Sequence, residues 1–118
     1  LKKRFRLGVV TNGIDRVQHA RLAASGLRPF FETVITSEGC GYAKPDPRIV
    51  QAALRELAVS AREAVYVGDD LAVDGGAARA AGTGFVWVDR GDPRPRGHVA
   101  PRLRVTHLAQ LERRFRPL

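Results

Sequence analysis

Short apolar runs alternating with longer amphipathic stretches predict an α/β protein built from βαβ units around a mainly parallel sheet. Three features carry that prediction: runs rich in Val, Ile, Thr and aromatic residues, helical spacing of apolar residues between them, and Gly, Pro or Asp at the junctions. The first run, FRLGVV at 5–10, reads as a buried strand that stops at the turn-forming Thr11-Asn12-Gly13. Asp15 is placed to cap a helix along which Val17, Ala20, Ala24 and Leu27 form one stripe before Gly26 and Pro29 end it. The β-branched TVIT at 33–36 is a second strand, followed by the Gly- and Pro-rich loop SEGCGYAKPDP. A second helix starts at Pro47 with Asp46 as N-cap, since proline suits the first turn, and Ile49, Ala53 and Leu57 run beside Val50 and Leu54. Residues 64–67 form a third strand, 71–81 a third helix closed by Gly82, and GFVWV at 84–88 a fourth strand. The Pro- and Arg-rich segment after Asp89 shows no periodicity, and Leu108, Leu111 and Phe115 suggest a closing helix.

At 118 residues the chain has room for one core, and its 44% apolar and 27% charged content is that of an ordinary globular domain. No apolar run approaches the ~20 residues that cross a bilayer. The N-terminus LKKRFRLGVV lacks the apolar stretch and cleavage site of a signal peptide, so a cytoplasmic location without a membrane partner is expected. The lone Cys40 excludes an internal disulfide or a cysteine zinc cluster. The first residue is Leu and no Met occurs, which suggests a fragment or an unusual start.

The net charge of +8 resides at the two ends: residues 1–6 carry +4, 90–118 carry +6 and 7–89 carry −2. Of the 20 basic residues, 17 are Arg, mostly without the aromatic neighbours that stack on single-stranded bases. Solvated Arg-rich surface is the expected reading and nucleic acid is not the expected partner, with a polyanion-binding patch as the alternative.

In doubly wound sheets ligands bind beyond the carboxyl ends of the strands. Thr11 and Asn12 follow the first strand, Lys44 lies in the loop after the second, and Asp69, Asp70 and Asp74 follow the third. Each alone also has a structural explanation: a turn, a solvated loop lysine, or acids that cap a helix and complement its dipole. Together they suit a phosphate and a magnesium ion. Backbone N–H groups and a hydroxyl bind phosphate oxygens, a lysine adds a point charge, and carboxylates are hard-cation ligands.

The order TNG at 11–13, KPDP at 44–47 and GDDLAVD at 68–74 followed by ARAAG resembles the haloacid dehalogenase (HAD) superfamily of hydrolases over nearly the whole chain. The runs LGVVTNG and ITSEGCGYAKPDPRIV are similar to its phosphatase branch, with phosphoglycolate phosphatases and pyrimidine 5′-nucleotidases. The resemblance implies a Rossmann-like three-layer α/β/α core and Mg²⁺ as cofactor. It further implies that Thr11 and the Asn12 backbone bind the transferring phosphoryl group and that Lys44 neutralises it and steadies the nucleophile. Asp69 would act with Lys44 in catalysis as a Mg²⁺ ligand, and Asp74 would support the metal through water or through Lys44. Asp70 is the weaker candidate.

The sequence also departs from that family. The nucleophilic Asp of a DxDx[TV] motif, and the general acid two residues later, belong to a strand that precedes TNG, and no such motif lies before residue 11. By resemblance that strand occupies the sheet's middle, between the TNG and GDD strands, and its absence would leave two rows of backbone groups to be re-paired or exposed. Residues 1–118 are therefore expected to form part of a HAD-like core without a cap domain, inactive alone and needing the N-terminal part of the core as partner. Gly75-Gly76, where the family places an apolar residue directly after the second Asp, would loosen Asp74. In its intact form the expected function is a Mg²⁺-dependent phosphatase of small phosphorylated metabolites of the nucleotide or sugar phosphate class. The alternatives are a non-catalytic phosphate- or polyanion-binding module and a haloacid dehalogenase, which would lack an acid at the position of Asp69.

Overall fold

In the computed structural model, which describes residues 5–91, 101, 103–106 and 110, the first apolar run forms β1 (Gly8–Thr11), so Thr11 ends the strand rather than opening the turn. Helix α1 (Asp15–Ser25) is not capped by Asp15. Ile14 holds the cap position and Asp15 is the first helical residue, where a carboxylate complements the helix dipole. The Asp15 carboxylate is drawn away by Thr36, whose hydroxyl donates to Oδ1 at 2.8 Å.

The expected apolar stripe of α1 is not a buried face. No residue of the helix is buried, and Val17 and Leu27 are exposed. The helix packs on β2 (Thr33–Thr36), on the short helix α2 (Ser37–Cys40) and on the 3₁₀ turn at Arg28–Phe30. Two strands whose axes lie about 5 Å apart cannot cover a helix about 10 Å across. The turn of α2 was expected as loop; the Thr36 hydroxyl accepts from the Gly39 N–H and fixes it.

Helix α3 (Pro47–Leu57) follows its sequence signals: Asp46 caps it by accepting from the Arg48 N–H at 2.9 Å, Pro47 occupies the first turn, and Ile49, Val50 and Ala53 are buried. Strand β3 (Val65–Gly68) leads to α4 (Val73–Ala81), which begins two residues later than its spacing predicted. The delay has a local cause, because Asp70 Oδ1 accepts from the Ala72 and Val73 N–H groups and turns the chain first. Strand β4 (Gly84–Val88) is as predicted. A further strand, β5 (Leu103–Val105), lies in the segment expected to be an irregular connection, and the expected closing helix around Leu108, Leu111 and Phe115 falls outside the described residues.

Among the described residues all ladders are parallel, and they form two sheets, β1-β2 and β3-β4-β5. Helix α3 packs on β1, β2 and α4, while α4 packs on β3 and β4, so the helix pair holds the two sheets together on one face. The β1-to-β2 connection moves outward and the β2-to-β3 connection moves back; right-handed crossovers therefore set α1 on the opposite face from α3 and α4. This is the α/β/α layering that the family resemblance implied. Ile35, Ile49, Val50, Ala53 and Ala77 form the core under the helix pair, with Val10 and Tyr66 against it, and Val86, Val88 and Val105 form a second cluster.

Between β1 and β3 there is no ladder among the described residues. Their facing edges are linked by one side chain: the Tyr66 hydroxyl on β3 donates to the Val10 carbonyl on β1 at 3.1 Å.

Candidate functional site

The TNG, KPDP and GDD segments meet at the carboxyl ends of β1 and β3. Asn12, expected to contribute its backbone, uses its side chain to join two of them: Oδ1 accepts from the Lys44 N–H at 2.8 Å, and Nδ2 donates to the Lys44 carbonyl at 3.2 Å. Asn12 thus holds the loop that carries Lys44 against the end of β1. The next residue, Gly13, is committed elsewhere, since its N–H donates to Ser37 Oγ at 2.7 Å. Thr11 is half-buried at the strand end, and its hydroxyl makes a long 3.3 Å contact to the Asn12 carbonyl.

From that anchored loop Lys44 reaches inward. Its Nζ lies 2.6 Å from Asp74 Oδ1 and 3.0 Å from the Tyr66 hydroxyl, with side chains only 12% and 7% exposed for Lys44 and Asp74. Burial alone would push the ammonium toward neutrality; the hydrogen bonds it donates to Asp74 and Tyr66 outweigh this and hold the pKa above the ordinary 10.5. Burial likewise raises the Tyr66 phenol above 10.0, against the opposing pull of Lys44. Both groups therefore keep their protons at neutral pH.

The three acids separate into distinct positions. Asp70 forms the turn that leads into α4: its carboxylate accepts from the Ala72 and Val73 N–H groups, while its own N–H donates to Asp74 Oδ2 at 3.1 Å. Asp74 is buried and held at both oxygens, so the glycines at 75 and 76 do not loosen it. Gly76 lies against the KPDP loop, where a Cβ would make an ordinary contact with the Pro45 side chain at 3.4 Å. Gly68 is the position that requires glycine. A Cβ on it would fall within 2.6 Å of Asp74 Cγ, so the Asp74 carboxylate lies directly on the Gly68 backbone. Asp69 is half-exposed at the end of β3; Trp87 Nε1 donates to its carbonyl at 3.1 Å and Arg90 approaches its Oδ2 at 3.2 Å.

Among the described residues no group of three His, Cys, Asp or Glu is arranged to hold a metal ion. Magnesium does not require one, because it commonly takes one or two protein carboxylates with water and phosphate oxygens. Asp69 fits one such position. Asp74 is occupied by Lys44 and the Asp70 N–H, which fits support of the site through Lys44 rather than direct coordination.

The haloacid dehalogenase-like hydrolase profile matches residues 1–88. The chain belongs to the haloacid dehalogenase-like hydrolase family. It is 39% identical to the phosphoserine phosphatase of Thermus thermophilus over 105 residues, which cover 89% of this chain and 42% of that protein. Its fold is similar to that of the Bacillus subtilis HAD-hydrolase YfnB bound to magnesium, with a TM-score of 0.89 and 29% identity over 98% of this chain and 51% of that one. It is also similar to the 2-haloacid dehalogenase of Pseudomonas syringae, with a TM-score of 0.83 and 33% identity over 96% and 47% of the two chains. The HAD chain described here thus spans about half, or less, of the length of these relatives. No helix among the described residues is long and apolar enough to cross a membrane.

Tyr66, Trp87 and Arg90 were not anticipated as site residues. For Tyr66 a signal was present: a lone hydroxyl inside the apolar run VYV must find a partner when buried. Arg90 follows β4 in a charge-rich segment and carries no distinguishing pattern.

Proposed function

We propose that this chain supplies the phosphate-binding and metal-supporting part of a Mg²⁺-dependent HAD phosphatase core, acting in its intact form on a small phosphorylated metabolite. The observation that carries this reading is the doubly bonded Asn12–Lys44 junction, which brings the ends of β1 and β3 and the KPDP loop into one cluster with the Lys44 ammonium at its centre. In such transfers the charge on the phosphoryl oxygens is what must be stabilised. Thr11 and the Asn12 N–H bind those oxygens, Lys44 neutralises them, and Asp74 orients Lys44. Asp69 would hold Mg²⁺, which would supply further neutralisation of the charge on those oxygens. The acid at 69 favours phosphoryl transfer over dehalogenation.

The partner is the N-terminal part of the core, whose nucleophile-bearing strand enters between β1 and β3 and pairs with both. Residues 1–118 alone offer no Asp in that position and hydrolyse nothing. The test is Mg²⁺-dependent hydrolysis of p-nitrophenyl phosphate by the chain alone and by the chain combined with an N-terminal core half that carries the DxDx[TV] strand. Activity only in the combination, lost with Asp69→Ala, supports the proposal. Robust Mg²⁺-dependent activity of the chain alone overturns the predicted inactivity, and an inert, correctly assembled combination overturns the phosphatase reading.

A further inference from the structure

Tyr66 sits between the two halves of the site and takes part in two hydrogen bonds whose directions are fixed by their partners. The Val10 carbonyl can only accept and the Lys44 ammonium can only donate. The single phenolic proton therefore goes to Val10 at 3.1 Å, and the hydroxyl oxygen receives Lys44 at 3.0 Å. Val10 directly precedes Thr11. The hydroxyl is thus a rigid link from the strand end that carries Thr11 to the lysine that faces it. Without the link only Asp74 would hold the ammonium, and at 2.6 Å its attraction draws Lys44 toward α4 and away from β1.

We infer that Tyr66 is a positioning residue that sets the Lys44 ammonium at a fixed place relative to Thr11, so that both groups meet the same phosphoryl oxygens. This rests on Lys44 and Thr11 being phosphate-binding residues. The ring itself has packing partners, with the Phe85 centroid 6.5 Å away, so Tyr66→Phe removes the link while keeping the shape.

The experiment titrates the 118-residue chain with inorganic phosphate, following the Thr11 and Asn12 amide resonances, for wild type, Tyr66→Phe, Lys44→Met and the double variant. Thermal unfolding of each sample verifies that it is folded, and Tyr66→Met serves as a second hydroxyl-free variant of different shape. Tyr66→Phe is expected to weaken phosphate binding about 5- to 10-fold, the scale of one ordinary hydrogen bond, and to have no further effect in the Lys44→Met background. An equal loss in both backgrounds shows a merely structural role and overturns the inference. Unchanged binding in Tyr66→Phe, with binding lost in Lys44→Met, overturns it while leaving the phosphate-site reading intact. Equal binding by wild type and Lys44→Met removes the reading itself and the inference with it.

Discussion

Asn12 and Lys44 are joined at both backbone groups of the lysine, the N–H by Asn12 Oδ1 at 2.8 Å and the carbonyl by Asn12 Nδ2 at 3.2 Å. A side-chain amide presents a donor and an acceptor side by side, which matches both backbone groups of one residue. Asn12→Ala should therefore cost about 1–2 kcal/mol in urea unfolding, the scale of two partly exposed hydrogen bonds. Asn12→Asp keeps the acceptor for the Lys44 N–H and sets a second carboxylate oxygen against the Lys44 carbonyl, so it should fail to recover the full loss.

Asp74→Asn is the sharper test of the interior. One carbonyl oxygen would then have to serve both the Lys44 ammonium and the Asp70 N–H, and the lysine would lose its buried counter-charge. A loss of about 3 kcal/mol is expected, measured by chemical denaturation.

Gly68→Ala should destabilise by about 1–3 kcal/mol through overpacking, because the new methyl group and the Asp74 side chain need the same space. Thermal unfolding checks the cost. Phosphate titration of the same variant should show weaker binding, since displaced Asp74 releases Lys44.

At acid pH the expected weak point is the end of β4. The Gly91 N–H on Oδ1, with the Arg104 guanidinium on Oδ2, holds the Asp89 carboxyl below 3.8. A depressed carboxylate pKa gives stability that is fully present above the unfolded value of 3.8 and is lost as pH falls through the folded value. Trp87, the only tryptophan, has Arg104 near its ring at 5.9 Å and reports the change by fluorescence. Asp89→Asn should be less stable than wild type at neutral pH, and the difference should vanish once the pH has fallen below the folded pKa of Asp89, where both carry a neutral group.

Among the described residues no strand pairs the facing edges of β1 and β3, which gives a further prediction. Amide exchange in residues 8–11 and 65–68 should slow when an N-terminal core half is added, while β4, already paired on both sides, changes little. Unchanged exchange in both strands would contradict strand entry between them.

The sequence made the site's order legible because its chemistry is written in short contiguous motifs. Asp46-Pro47 announced α3, and the GDD run announced a strand end. What it hid depends on distant neighbours. The α1 stripe of Val17 and Leu27 has ordinary helical spacing, and only the narrowness of the β1-β2 sheet decides that it stays exposed. Strand β5 is three residues long with Arg104 at its centre, too short and too polar for periodicity to register, and it exists because β4 has an edge to pair. The side-chain role of Asn12 was hidden because a TNG turn accounts for the asparagine without a partner 32 residues away.

The contact between Gly68 and Asp74 also bears on descent. A side chain at 68 and the carboxylate at 74 compete for the same space, so substitutions at the two positions are coupled rather than independent. A protein that gives up the acid at 74 has room for a small side chain at 68, whereas one that keeps the acid takes that side chain only at a cost in packing. Change at the end of this strand is therefore least costly after the loss of Asp74, and the glycine at 68 is favoured by the residue that rests on it.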